Sequence, residues 1–276
     1  MKRVGIIAAA ILSAGVVFAQ SSDTSTPSLS RTFDELKWRK QAPDLPIMIS
    51  ELWGNRERDG GFGELVQVPA GFDSGLHAHS GDFHGVLVKG TWIHVDENGG
   101  GTNTPLAPGS YIRQAGRGLH VDKCVSKEPC VLFLFQYARA DVLWPKDVAA
   151  APSSSQMEVK SAQAMQYKVE YPDEASSPQI SIVSGDVATT PISMFIRMKK
   201  STLPMHSHSA DYQATVIRGT MKHWAKGESE AAAPRLGPGS WWYQPGGQVH
   251  TDACLDNECL LYVHNAGKLD TIPDKP

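Results

Sequence analysis

The sequence predicts an all-β chain that carries two copies of one sandwich or barrel domain. Three observations predict it. The chain repeats itself: Leu106-Ala-Pro108-Gly109-Ser110 recurs as Leu236-Gly-Pro238-Gly239-Ser240, and His120-Val-Asp122-Lys-Cys124 as His250-Thr-Asp252-Ala-Cys254. His77-Ala-His79-Ser80 matches His206-Ser-His208-Ser209, Gly90-Thr91 matches Gly219-Thr220, and His94 matches His223, always at an offset of 129 or 130. Short apolar runs recur in both copies, at 85–88 and 131–135 and again at 214–217 and 260–263. Turn residues punctuate them roughly every 8–12 positions, the spacing of all-β domains.

The elements follow in chain order. Lys2 and Arg3 precede a stretch, 4–19, that is apolar except for Ser13 and ends in Val17-Phe18-Ala19. This is the pattern of a secretory signal peptide cut after Ala19. The expected organisation is a signal peptide at 1–19, a leader at 20–44, a first domain at 45–148, a linker at 149–156 and a second domain at 157–276. Residues 20–32 are rich in Ser and Thr and read as flexible. Short helical segments are expected at 33–39 and 161–165. No other stretch is long and apolar enough to span a bilayer, so the mature chain is expected to be soluble and periplasmic or secreted, as a monomer or homodimer.

Composition bounds the function. Of 276 residues, 41% are hydrophobic and 20% charged, enough for a packed core. A net charge of -3 argues against a nucleic-acid binder that works by broad charge neutralisation. The four cysteines are Cys124, Cys130, Cys254 and Cys259. Export places them in an oxidising compartment, and their spacing favours two short-range disulfides, Cys124 with Cys130 and Cys254 with Cys259. A four-thiolate zinc site is the competing reading, but neither pair has the C-x2-C spacing such sites show.

The histidines carry the chemistry. Seven of the ten fall in two matching sets: His77, His79, His84 and His120, then His206, His208 and His250 with Gln213 where His84 would be. Residues two apart on a strand share a face, so each His-x-His pair projects side by side. His84 has the wrong parity for one unbroken strand, but Ser80-Gly81-Asp82 can turn the chain and present it inward. His120 and His250 would come from a later strand. Three or four imidazoles converging inside a barrel make a site for a divalent transition metal: Fe, Mn, Ni, Cu or Zn. A lone strand histidine is usually only a hydrogen-bonding side chain; it is the duplication that raises this pattern above that reading.

These residues resemble the cupin superfamily, and two tandem copies resemble a bicupin. The first cupin motif, G-x5-H-x-H-x3-4-E-x6-G, is matched by Gly71, His77 and His79, with His84 at the acidic position and Gly90 one residue early. In the second copy His206 and His208 match, Lys200 replaces the leading Gly, Gln213 takes the acidic place and Gly219 is again one residue early. The second motif, G-x5-P-x-G-x2-H-x3-N, is matched by Gly109 and His120 and by Gly239, Pro245, Gly247 and His250. In the first copy Ala115 and Arg117 replace its Pro and Gly, and Cys124 or Cys254 stands at its Asn. The resemblance covers residue 45 to the C-terminus and is nearest to secreted bacterial bicupins of undefined function. It implies two jelly-roll barrels and a metal in at least one of them, the first; with Gln213 in place of a stronger ligand, the second site is expected to be weaker, selective for a different metal, or vestigial.

The departures matter. Family members that act on oxalate keep the Glu, whereas every ligand expected here is neutral. A divalent metal would keep its full charge and favour an anionic or chelating oxygen ligand. Further pocket residues are expected among His94, His223, Tyr111, Arg113, Trp241, Trp242 and Tyr243, with Asp82 and Asp211 as turn residues. No nucleophile elbow or Walker-type loop is present, and the catalytic residues stay unassigned. The sequence thus points to a metal-dependent enzyme, dioxygenase-like with lyase or isomerase as options, acting on a small oxygen-rich molecule. The alternative is a non-catalytic metal- or small-ligand-binding or sensing cupin.

Overall fold

The computed structural model describes residues 27–97, 99, 101–148, 157–169, 177–187 and 191–274. The expected signal peptide and the linker 149–156 lie outside the described residues. Two β-barrels follow one another, as the repeat implies. In the first, one sheet runs in the order Met157–Lys160, Tyr111–Gln114, Phe83–Lys89, Cys130–Gln136, Phe62–Val68, Met48–Gly54, Arg39–Lys40, and a three-stranded sheet of Gly101–Leu106, Trp92–Asp96 and His120–Cys124 faces it. In the second barrel one long strand, His250–Asn265, serves both walls. Its first half pairs with Met221–Ala225 and its second half with Tyr212–Arg218.

The barrels exchange strands. Met157–Lys160, which opens the second copy, pairs antiparallel with Tyr111–Gln114 of the first. Leu29–Arg31 pairs in the same way with Trp241–Tyr243 of the second. Residues 29–32 are therefore not a flexible leader: their backbone completes the edge of the other barrel's sheet, and an edge strand is left unpaired without it. The segments that follow are short 3-10 turns, Phe33–Glu35 and Ala162–Ala164, where longer helices were expected. The first closes because the Glu35 carboxylate accepts the Thr32 backbone N–H and hydroxyl. Each turn packs on the Pro-Gly-Ser turn of the opposite barrel. A Cβ on Gly239, at φ +88°, would lie 2.4 Å from the Phe33 ring, so the repeat needs glycine there.

Packing between the barrels explains the continuous apolar runs. Strand Phe83–Lys89 is buried on both faces. Val86 and Val88 join Tyr111, Phe133 and Phe135 against Val183, Phe195, Trp241, Leu260 and Tyr262 of the second barrel. Phe83 and Leu87 point the other way, into the first barrel, among Ile49, Trp92, Ile112 and Leu132. Disulfides join Cys124 to Cys130 and Cys254 to Cys259, as the spacing favours. Both fit an oxidising compartment, and each loop closure contributes roughly 2 kcal/mol on the chain-entropy model. Among the described residues no helix is long and apolar enough to cross a membrane.

Candidate metal centre

Backbone pairing assembles the histidines. His77 and His120 face each other across a β-bridge, each N–H donating to the other's carbonyl (3.0 and 2.8 Å). His206 pairs with His250 in the same way. Opposed residues share a face, and so do residues two apart on one strand, so His79 and His208 join the same side. Two triads result, His77–His79–His120 and His206–His208–His250, each with ligand atoms within 4.8 Å of one another.

The tautomers suit a cation. All six Nδ1 atoms face a backbone carbonyl: Gly75 and Asp141 for His77 and His79, Gly118 for His120, then Pro204, Asp270 and Gln248. A carbonyl only accepts, so Nδ1 carries the proton and Nε2 keeps its lone pair. Burial disfavours the charged form of four of the rings: it holds His79 at about 4 and His250 at about 3, and lowers His77 and His208. His120 Nε2 is fully buried and makes no hydrogen bond. A buried acceptor without a partner is costly, and a metal ion would satisfy it. The donor set therefore fits a divalent transition metal.

A carboxylate stands beside each triad, where the expected donors were all neutral. Asp122, two residues beyond His120, brings Oδ2 to 3.4 Å from His120 Nε2 and 3.9 Å from His77 Nε2. Asp252 Oδ2 lies 3.9 Å from His250 Nε2. The sequence holds this signal as His-x-Asp in both copies. His94 and His223 hold these carboxylates, and both are buried. His94 Nδ1 donates to Asp122 Oδ1 (2.7 Å) and its Nε2 faces Gln114 Oε1 (3.0 Å). His223 meets Asp252 (2.8 Å) and Gln244 (3.0 Å). Burial opposes charge on both members of the first pair, yet mutual attraction raises His94 and holds Asp122 well below the usual carboxylate range. Burial likewise opposes the Asp252 charge, but the neighbouring histidines bring its carboxyl to about 2.

The fourth expected ligand is elsewhere. His84 turns away from the triad, its Nδ1 2.6 Å from the Tyr111 hydroxyl and its ring stacked on Phe135. Gln213 likewise lies in register with His264 and Tyr243, outside the second triad. Phe83 and Tyr212 take the inward place: Phe83 packs 5.2 Å from His79 and Tyr212 the same distance from His208. The strand keeps its parity from Phe83 onward, so the turn at 80–82 does not rescue His84. The closing glycines carried this signal, because six residues separate Phe83 from Gly90 and Tyr212 from Gly219, as the cupin motif requires.

All but one of the other expected pocket residues face the space between the barrels. Tyr111 and Trp241 are buried in the shared core. Arg113 pairs with Asp82 (2.6 Å) beside an interbarrel cleft of about 760 Å3 that His84 and His264 also line. Asp82 and Asp211 each accept a turn N–H, from Gly116 and Gly246, which is the turn role expected. Trp242 alone of the set faces a barrel interior, where it donates to the Tyr212 hydroxyl (3.2 Å).

Each triad opens on a cavity. That of the first barrel is about 240 Å3 and contains the Arg56–Glu64 ion pair (3.1 Å). That of the second is about 440 Å3.

A model of a domain of unknown function, DUF4437, matches residues 31–141 and again 157–273. No curated protein matches the sequence. Among solved structures, a candidate dioxygenase from Nostoc punctiforme superposes with a TM-score of 0.68 at 12% identity, covering 90% of this chain and 87% of its own. A formate complex of oxalate decarboxylase from Lactobacillus farciminis gives 0.58 at 13% identity, over 90% and 89%. Oxalate decarboxylase from Bacillus subtilis gives 0.56 at 12% identity, over 92% and 80%. At such identities the likeness establishes the fold alone, a pair of cupin barrels in one chain.

Proposed function

The chain belongs to the DUF4437 family, and on that premise we propose that it is an exported, metal-dependent enzyme with one divalent transition-metal centre per barrel. The first-barrel centre is the catalytic one in this reading, dioxygenase-like and acting on a small oxygen-bearing molecule. His77, His79 and His120 hold the ion, and Asp122 adds the one negative charge that the neutral imidazoles lack. The observation that carries the reading is His120 Nε2, buried without a partner beside two further imidazoles whose Nδ1 protons are already committed. Bound there, the ion would supply Lewis acidity and, if redox-active, oxidation chemistry. The protein's share is positional. Backbone carbonyls aim the three rings, His94 holds Asp122, and Phe83 keeps water from one side of the centre. The small cavity beside His77 and His79 would receive the substrate.

Beside the second triad Tyr212 stands where the first has Phe83, and its hydroxyl favours a weaker or non-catalytic centre there. The Tyr212 hydroxyl lies 3.1 Å from His250 Nε2 and donates to it, because burial keeps the phenol protonated. A metal must displace that bond. The test is metal content by plasma mass spectrometry on protein purified without a His-tag, for wild type, His79→Ala and His208→Ala. The expected result is bound transition metal of which His79→Ala removes a larger share than His208→Ala, as a weaker second centre requires. No transition metal in any preparation, even after reconstitution, would overturn the catalytic reading.

A further inference from the structure

The two cavities are not equivalent. The larger one, in the second barrel, is walled by Ile180, Met194, Ile196, Met198, Leu261 and Val263, and among the described residues no lysine or arginine lines it. Its titratable groups, His206, His208, Tyr212 and Asp252, belong to the triad and its immediate neighbours, and Ser177, Asn265 and Thr271 add uncharged polar groups to the wall. At about 440 Å3 it falls within the roughly 300–1,000 Å3 of sites that enclose a small organic molecule. The charged feature of the first cavity is missing. Glu64 pairs in register with Leu134, and the corresponding partner of Val263 is Met194. An apolar thioether thus stands where the first barrel has its carboxylate. A small polyanion would enter this space with no lysine or arginine to meet it and would leave most of the wall uncovered, which is unfavourable on both counts.

We infer that the second barrel binds a molecule with a hydrocarbon body and a single oxygen-bearing head group, the body against the Met/Ile/Leu wall and the head at the histidine end. The inference rests on the reading of that histidine end as the functional end, but the wall can be tested without a metal. The His206 and His208 Nε2 lone pairs supply acceptors, and the Tyr212 hydroxyl supplies a donor once it leaves His250, enough for one hydroxyl or chelating group. The wall supplies burial, worth about a fourfold gain in affinity per methylene.

Calorimetric titration with two probe series tests this. One is 1-butanol to 1-octanol on metal-free protein; the other is acetohydroxamate against octanohydroxamate on zinc-loaded protein. Wild type should gain about three- to fourfold in affinity per added methylene in both series until the cavity is full. Leu203→Arg and Leu269→Arg, at half-buried wall positions, should flatten that dependence while the thermal midpoint stays near wild type. A flat chain-length dependence in the wild type overturns the inference, whether or not zinc binds. If zinc uptake fails but the alcohols keep their dependence, the metal reading falls and the hydrocarbon site stands. If either arginine variant unfolds, Ile196→Trp, which fills the cavity with apolar volume, should abolish octanol binding, and unchanged binding overturns the inference.

Discussion

The two barrels present the same three imidazoles on the same paired backbone, yet different side chains face them. In the first, a phenylalanine ring lies beside the triad, His120 keeps a free lone pair, and an Arg–Glu pair polarises a small cavity. In the second, a tyrosine hydroxyl occupies the His250 lone pair and a methionine wall lines a cavity nearly twice as large. Duplication has thus kept the ligand geometry, which backbone pairing sets, while the side chains that decide what enters have diverged. Positions that merely look on to the triad are free to change because no hydrogen bond of the ladder depends on them.

The largest expected effect that could break this comparison is in the first cavity. Glu64→Ala leaves the Arg56 charge largely buried without a partner and should cost about 3–5 kcal/mol, read from denaturant unfolding. Glu64→Met with Arg56→Met, which imitates the second barrel's wall, should be close to neutral. Equal losses in the single and double variants would mean that the pair shapes the barrel beyond its charge. Burial raises the Glu64 carboxyl even beside Arg56, so the pair is under tension that an apolar replacement relieves.

A smaller effect sharpens the contrast at the triads. Tyr212→Phe removes the hydroxyl from His250 and should strengthen metal binding in the second barrel about tenfold, the worth of one buried hydrogen bond. Phe83→Tyr should weaken the first barrel by a similar factor. Chelator competition with the other site disabled by His208→Ala or His79→Ala measures each. If the exchange moves neither affinity, this residue is not what separates the two centres.

The smallest effect concerns the interface between the barrels. Phe135 and His264 occupy corresponding places beside the interbarrel cleft, 4.2 Å apart. Burial, with a smaller contribution from His84, holds His264 at about 3, far below its ordinary value. The unfolded chain therefore takes up this proton first as pH falls, and stability is lost between about 6.5 and 3. His264→Phe should spare about 1 kcal/mol at pH 5.5 relative to wild type, with little difference at pH 8. Parallel stability curves from pH 8 to pH 5 would show that His264 does not titrate with unfolding.

Much of this molecule was legible in its residues. The duplication could be read directly, because so many identities at one offset have no other source. The six triad histidines followed from strand periodicity, which is local. The disulfides followed from short separations, since five or six residues close a loop with little choice of partner. Other features depended on pairings between distant segments. Whether Phe83 or His84 faced the triad turned on where the strand began, and that is set by its register against Cys130–Gln136 and Tyr111–Gln114. Asp122 shared its strand with His120 in plain view, but its reach to the centre needed His94 and Trp92 from the neighbouring strand to hold it there. Leu29–Arg31 read as solvated leader because a polar, Ser-rich segment carries no core signal of its own. It is ordered only because the other barrel leaves a sheet edge unpaired, and backbone hydrogen bonds across that edge do not depend on side chains. Sequence by itself thus determined the two barrels and the three imidazoles of each. Tertiary structure alone decided the charge of the centres, the residue beside each and the character of the cavities, because those are properties of faces that meet only when remote strands pair.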